Sequence, residues 1–259
     1  MLHEFFKTGD DDSEEMNIPE PSQEELDELK SKIFKRLTED IASDDEKKRY
    51  EALTLVPYFE ADPRLSPYFT ALFETTDISR KRDIIRAIGA WRHSDGVAML
   101  INFLTNTHNQ ELLEQGLEED VILALGEIGG LDALEFLINY ATARYETHRE
   151  QEDALGMASV EGITQIAMHG HDKALAFLVK NTEHPAWNLR ESCANAFSVI
   201  YGGKEKIPKT VYDLLIRLSK DDNKDVRIAA YMSLDAIVGL DEANKKILND
   251  ARHKQIFGE

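Results

Sequence analysis

The chain has 259 residues, with 49 acids against 30 lysines and arginines and a formal charge of -19. That balance excludes a nucleic-acid binder, which needs a basic footprint for phosphates, and a polybasic membrane-surface protein. No apolar run approaches the ~20 residues of a membrane span, and MLHEFFKTGDDDSEE lacks the layout of a signal peptide, so a cytoplasmic protein is expected. One cysteine, Cys193, leaves no disulfide framework or cysteine-rich zinc site to build on. Residues 1–22 hold seven acids, Lys7 and two prolines, the composition of a mobile acidic tail. From Ser22, the run SQEELDELKSKIFKRL fits a capping box closed by Glu25. Leu26, Leu29, Ile33 and Leu37 give that run one apolar face, predicting an amino-terminal capping helix over 23–43.

Residues 44–259 read as one repeat array. Apolar residues recur at helical spacing, as in Val121, Leu125 and Ile128, then Leu134, Leu137 and Tyr140, with the helix stop Gly129-Gly130 between the two runs. A small residue, a large apolar one and a further apolar residue three on recur as Ala52-Leu53 with Val56 and Ala87-Ile88 with Trp91. The same triplet returns as Ala124-Leu125 with Ile128, Gly162-Ile163 with Ile166, Ala196-Phe197 with Ile200, and Ser233-Leu234 with Ile237. The large residues stand 35, 37, 38, 34 and 37 residues apart, a period of about 36. Six units at that period predict an all-α solenoid of helical hairpins. The small residue lets the paired helix approach closely, and DEANKKILNDARHKQ offers a carboxy-terminal closing helix.

Segments 184–200 (HPAWNLRESCANAFSVI) and 222–238 (DNKDVRIAAYMSLDAIV) resemble the first helix of a HEAT repeat, with Asn188 and Arg190, and Asp225 and Arg227, as its polar pair. The segment 120–138 is similar to the bacterial short HEAT form, as found in phycobilin lyase subunits. In HEAT proteins the polar pair links adjacent repeats and covers helix ends. Gly116 with Glu118, and Ala154 with Gly156, stand at the matching places, so the ladder is expected to break in the middle units. The resemblance covers residues 44–254 and implies that second helices line the concave surface, which brings Tyr140 and Tyr145 to notice.

No catalytic motif is legible. His169 and His171 beside Asp172 are two imidazoles without a third ligand, so no metal or other cofactor is expected. Cys193 lies on an apolar helix face, Trp91 at a core position and Trp187 at a helix start, all structural placements. Deoxyhypusine hydroxylase-like proteins carry repeated iron-binding His-Glu pairs, whereas this chain has only His3-Glu4.

The charge is uneven. Residues 93–153 carry 13 acids against Arg144 and Arg149 alone. Glu111, Glu114 and Glu118 would share a helix face, with Glu119, Asp120 and Glu135 extending the acid region toward Tyr140. The leading expectation is a non-catalytic scaffold that binds a basic protein or peptide through these seven residues. A narrower alternative is an inhibitor or immunity-type protein that blocks a nucleic-acid-binding partner by charge mimicry. A third is a bilin-lyase-like subunit with an apolar groove and bases such as Arg80, Lys81 and Arg86.

Overall fold

The computed structural model describes residues 22–74, 77–106, 113–149, 151–204 and 207–238, with 246, 249 and 250. The acidic tail, Glu111 and most of the closing segment 241–255 lie outside the described residues. Among the described residues all regular structure is helical. α1 (Gln23–Ile41) is followed by α2 (Glu46–Leu53), two 3₁₀ turns (Val56–Phe59 and Pro63–Leu65) and α3 (Ser66–Phe73). Regular hairpins pair α4 (Ile78–Trp91) with α5 (Ser94–Thr105), and α6 (Glu118–Ile128) with α7 (Gly130–Thr147). They continue with α8 (Ala154–Met168) and α9 (Asp172–Asn181), then α10 (Trp187–Tyr201) and α11 (Lys209–Leu218), followed by α12 (Lys224–Val238). The chain is an all-α solenoid.

Local chemistry sets the helix ends. Ser22 and Glu25 form the expected capping box, the Ser22 N–H donating to Glu25 Oε2 at 2.8 Å. Asp45 and Asp77 cap α2 and α4 by accepting from backbone N–H groups one turn on. Gly129 and Gly130, at φ 71° and 84°, make the tight turn between α6 and α7. The apolar face of α1 packs only along its second half. Leu37 and Ile41 are buried, whereas Leu29 is 46 % exposed. The reason is length: α1 has 19 residues and its main partner α2 has 8, so about 16 Å of α1 extends past it.

The large marker residues enter the core from the second unit on, with Ile88, Leu125, Ile163 and Phe197 fully buried, and Leu53 packs against it half-buried. Trp91 is also fully buried, and its indole N–H donates to the Asp62 carbonyl at 2.8 Å. The small marker residues act differently from expectation. They face the first helix of the preceding repeat, not their own hairpin partner alone. A Cβ on Gly89 would stand 3.1 Å from Ala124 Cα, and one on Gly162 would stand 3.3 Å from Gly126 Cα. Ser233 in turn donates to the Ala194 carbonyl at 2.8 Å. First helices α4, α6, α8, α10 and α12 therefore pack closely in sequence, while neighbouring second helices, such as α5 and α7, meet less closely. A groove of about 530 Å³ separates α7 from α9. An array with one layer packed more closely than the other bends toward the closer layer. The first helices thus form the inner face, a correction to the expectation that second helices line it.

Candidate functional site

The expected acidic helix face is broken. α6 starts only at Glu118, because Gly116 adopts φ 91° at the end of a single π turn, Leu113–Leu117. Glu114 and Glu118 therefore do not lie on one continuous helix, and the expected alignment is corrected. Asp120 is drawn inward: Arg82 Nε donates to it at 2.7 Å and Arg86 Nε at 3.1 Å. Glu118 accepts from the half-buried Tyr140 hydroxyl at 2.5 Å. Burial, then that hydrogen bond, push the Tyr140 phenol well above its ordinary range. Glu135 sits on the second-helix layer, paired with Lys173 at 3.2 Å. Glu119 is exposed on the inner face. Of the six expected residues that are described, Glu118 and Tyr140 bond within the α6–α7 hairpin, Asp120 bonds across the seam to α4, and the others do not gather with them into one patch.

The loop-tying pair is present in some units and replaced by another pair in the fourth. Arg49, Arg190 and Arg227 each donate to two carbonyls five and six residues earlier, tying the loop that precedes their helix. Lys81 Nζ does the same for the Phe73 carbonyl at 2.8 Å, buried between Phe73 and Phe103. Where the fourth unit has Gly156, the charge arrives from the preceding repeat. Arg144 of α7 donates twice to Asp153, once at 2.8 Å through Nε. Burial raises the Asp153 carboxyl, but Arg144, His148 and the Gly156 N–H together outweigh it and hold it below the usual carboxylate range. A Cβ at Gly156 would come 2.9 Å from Asp153 Oδ2 and 3.1 Å from Tyr145 Cζ, so glycine is what admits both groups. Tyr145 is fully buried. Lys81 is thus structural, not a groove base, whereas Arg86 stays exposed beside Asp120.

The inner face carries a regular display. On α4, α6, α8 and α10, the residues six before, two before and two after the large marker point outward or lie half-buried. On α4 these are Arg82, Arg86 and Ala90; on α6, Glu119, Leu123 and Glu127; on α8, Met157, Glu161 and Gln165. On α10 they are Glu191, Asn195 and Val199. The bases at the α4 end answer Asp120. From α6 to α10 the only base on a first helix is Arg190, held by Asp221 at 2.7 Å. Met157 is 45 % and Val199 50 % exposed, on either side of a groove of about 220 Å³. Sequence reasoning missed Met157, Glu161, Glu191 and Val199 as a set, although offsets from the marker residues would have aligned them.

Burial and the like charges of Asp225 and Glu152 push the Glu191 carboxyl up to about 7. Burial likewise raises the Cys193 thiol far above its ordinary range. Trp187 is half-buried at the start of α10, as expected. His169 and His171 are exposed, and no group of three or more metal-ligating side chains exists among the described residues. No helix among them is long and apolar enough to cross a membrane.

No family model matches the chain, and no curated protein is a significant match. Among solved structures it is similar to the CpcE and CpcF complex of phycocyanin lyase from Nostoc sp. PCC7120, at 18% identity and TM-score 0.43 over 97% of this chain and 94% of that one. It is also similar to a designed armadillo repeat protein, at 15% identity and TM-score 0.36 over 78% and 98% of the two chains. A third is human deoxyhypusine hydroxylase in complex with glycerol, at 13% identity and TM-score 0.37 over 88% and 91%. The class to which the chain's own geometry assigns it is the helical-repeat solenoid.

Proposed function

We propose that this solenoid is a non-catalytic scaffold, HEAT-like in its loop-tying arginines, that holds a basic partner protein. The observation that supports this is the inner face from α6 to α10, where Glu119, Glu127, Glu161 and Glu191 meet no unengaged lysine or arginine on the first helices. Ordinary surfaces mix the two signs, and a one-signed face steers an oppositely charged partner. The scaffold reading agrees with Cys193, the one thiol, being buried. Of the residues expected from sequence, Glu119 faces such a partner directly. Glu114, Glu118, Asp120 and Tyr140 lie at the turn and helix ends beside it, Glu135 lies on the second-helix layer, and Glu111 belongs to the same sequence run.

Affinity capture from the native host at low salt, repeated with Glu119→Lys plus Glu127→Lys, tests the proposal. A captured protein with a basic surface, released by salt and lost in the double variant, supports it. Capture that ignores both salt and the variant refutes it. Loss of nucleic-acid binding by the captured protein identifies the charge-mimicking inhibitor, and a co-eluting chromophore identifies the lyase-like alternative.

A further inference from the structure

Acids alone hold any cation, yet large apolar side chains stand among these acids. Met157, Val199 and Met232, on the successive first helices α8, α10 and α12, are 45 %, 50 % and 41 % exposed, and Leu123 on α6 is half-buried. Single exposed apolar residues are ordinary, but a contiguous set with a polar rim marks a binding surface. Methionine suits that use, because its unbranched side chain adapts to varied partners. The groove between α8 and α10 lies at the centre of the set, floored by Val160 and Ala196. Carboxylates surround it: Glu127 on one side, Glu161 in the groove wall, and Glu191 at the α10 end.

We infer that this inner face receives a basic amphipathic α-helix of the partner protein. Its apolar stripe lies on Met157, Val199 and Met232, and its lysines or arginines meet Glu127, Glu161 and Glu191. The inference rests on the basic-partner reading above and adds the shape and the place of docking. Charge complementarity selects the occupant, because the acids interleave with the apolar side chains as the two faces of such a helix would require. Dimensions agree. From α6 to α12 the face spans three helix spacings of ~8–10 Å, so about 24–30 Å, which a helix of roughly 16–20 residues covers. Glu191 gains most from such a partner: beside Glu152 and Asp225 it has no cation of its own among the described residues.

Fluorescence anisotropy with the full chain tests this, using a labelled Leu/Lys peptide of roughly 18 residues with leucines at i, i+3, i+4 and i+7 spacing. A scrambled isomer of equal composition, unable to form an apolar face, is the comparison. The amphipathic peptide should bind about 10-fold more tightly than the isomer, an advantage that Met157→Ser with Val199→Ser removes. Glu127→Lys with Glu161→Lys should weaken both peptides and flatten their salt dependence. Glu146→Lys with Asp172→Lys, away from this face, should change affinity less than about 2-fold. Circular dichroism checks that each variant keeps its helix content. Equal binding of the two peptides, with the Ser pair silent, overturns the helix inference and leaves the basic-partner reading standing. Insensitivity to the Glu127 and Glu161 reversal, or no binding of either peptide at low salt, overturns both. Equal loss from the Glu146 and Asp172 reversal overturns the placement on the inner face.

Discussion

Gly126 offers a test in which two physical effects predict opposite signs. It lies inside α6, where alanine is the better helix former by about 1 kcal/mol. Yet a Cβ there would collide with the Gly162 Cα and stand 3.1 Å from that residue's carbonyl carbon and oxygen. Ordinary carbon contacts lie near 3.5–4.0 Å, so α6 and α8 would have to part by about 1 Å, and no side chain can swing aside to absorb it. Overpacking costs ~1–3 kcal/mol, here at the upper end because the obstacle is backbone. Against the helix-propensity gain, Gly126→Ala should lose about 2 kcal/mol net, a fall of roughly 4–8 °C in Tm. Gly162→Ala should cost less, since its Cβ would meet mainly the flexible end of Leu137 at 3.0 Å. Thermal denaturation followed by circular dichroism measures both. A Gly126→Ala chain as stable as the parent would refute the backbone contact of the first-helix layer, and with it the curvature derived from that contact.

Three further outcomes follow from the buried groups. Arg144→Met leaves the buried Asp153 carboxylate without its main partner, at a cost of ~3 kcal/mol near pH 7 in urea unfolding. Because Asp153 is held below its ordinary value in the parent, its stabilisation is present above the carboxylate range and lost as pH falls; the gap between parent and variant should narrow toward pH 4. Glu191, raised to about 7, binds its proton more tightly when folded, so stability contributed by that proton declines as pH rises from ~4.5 to 7. The ideal figure of about 3 kcal/mol is reduced by solvent screening, and Glu191→Gln should stabilise the fold by about 1 kcal/mol at pH 8 and by nothing near pH 4. The Cys193 thiol should react with a disulfide reagent only at the rate of unfolding; rapid labelling of the native chain would show that it is not buried.

The repeat architecture was legible because each unit reuses the same local physics. Ala87-Ile88 with Trp91 and Ala196-Phe197 with Ile200 carry the same demand for a tight contact beside a core plug. Caps such as Ser22 with Glu25 depend on four adjacent residues and were equally readable. Inter-repeat pairings were not. The stretch 93–143 contains no lysine or arginine, so Asp120 read as unopposed acid. Its partners Arg82 and Arg86 lie 38 and 34 residues earlier, one repeat period away. Arg144 replacing a missing arginine in the next unit is illegible for the same reason, since the sequence pattern marks an absence where space supplies a substitute. Which layer lies inside depends on how closely whole helices approach, and no single segment encodes that distance.

Where a loop is tied by its own arginine, two tasks are separated within one helix. Arg190 and Arg227 fasten a repeat to the turn before it, and the small residues set the spacing between repeats. The outward positions on α8, held by Met157, Glu161 and Gln165, do neither. Mutations there alter what the surface presents without loosening the array. A lineage can thus rewrite partner choice one side chain at a time on an unchanged frame, whereas a change at Gly126 or Asp153 is felt first by the fold.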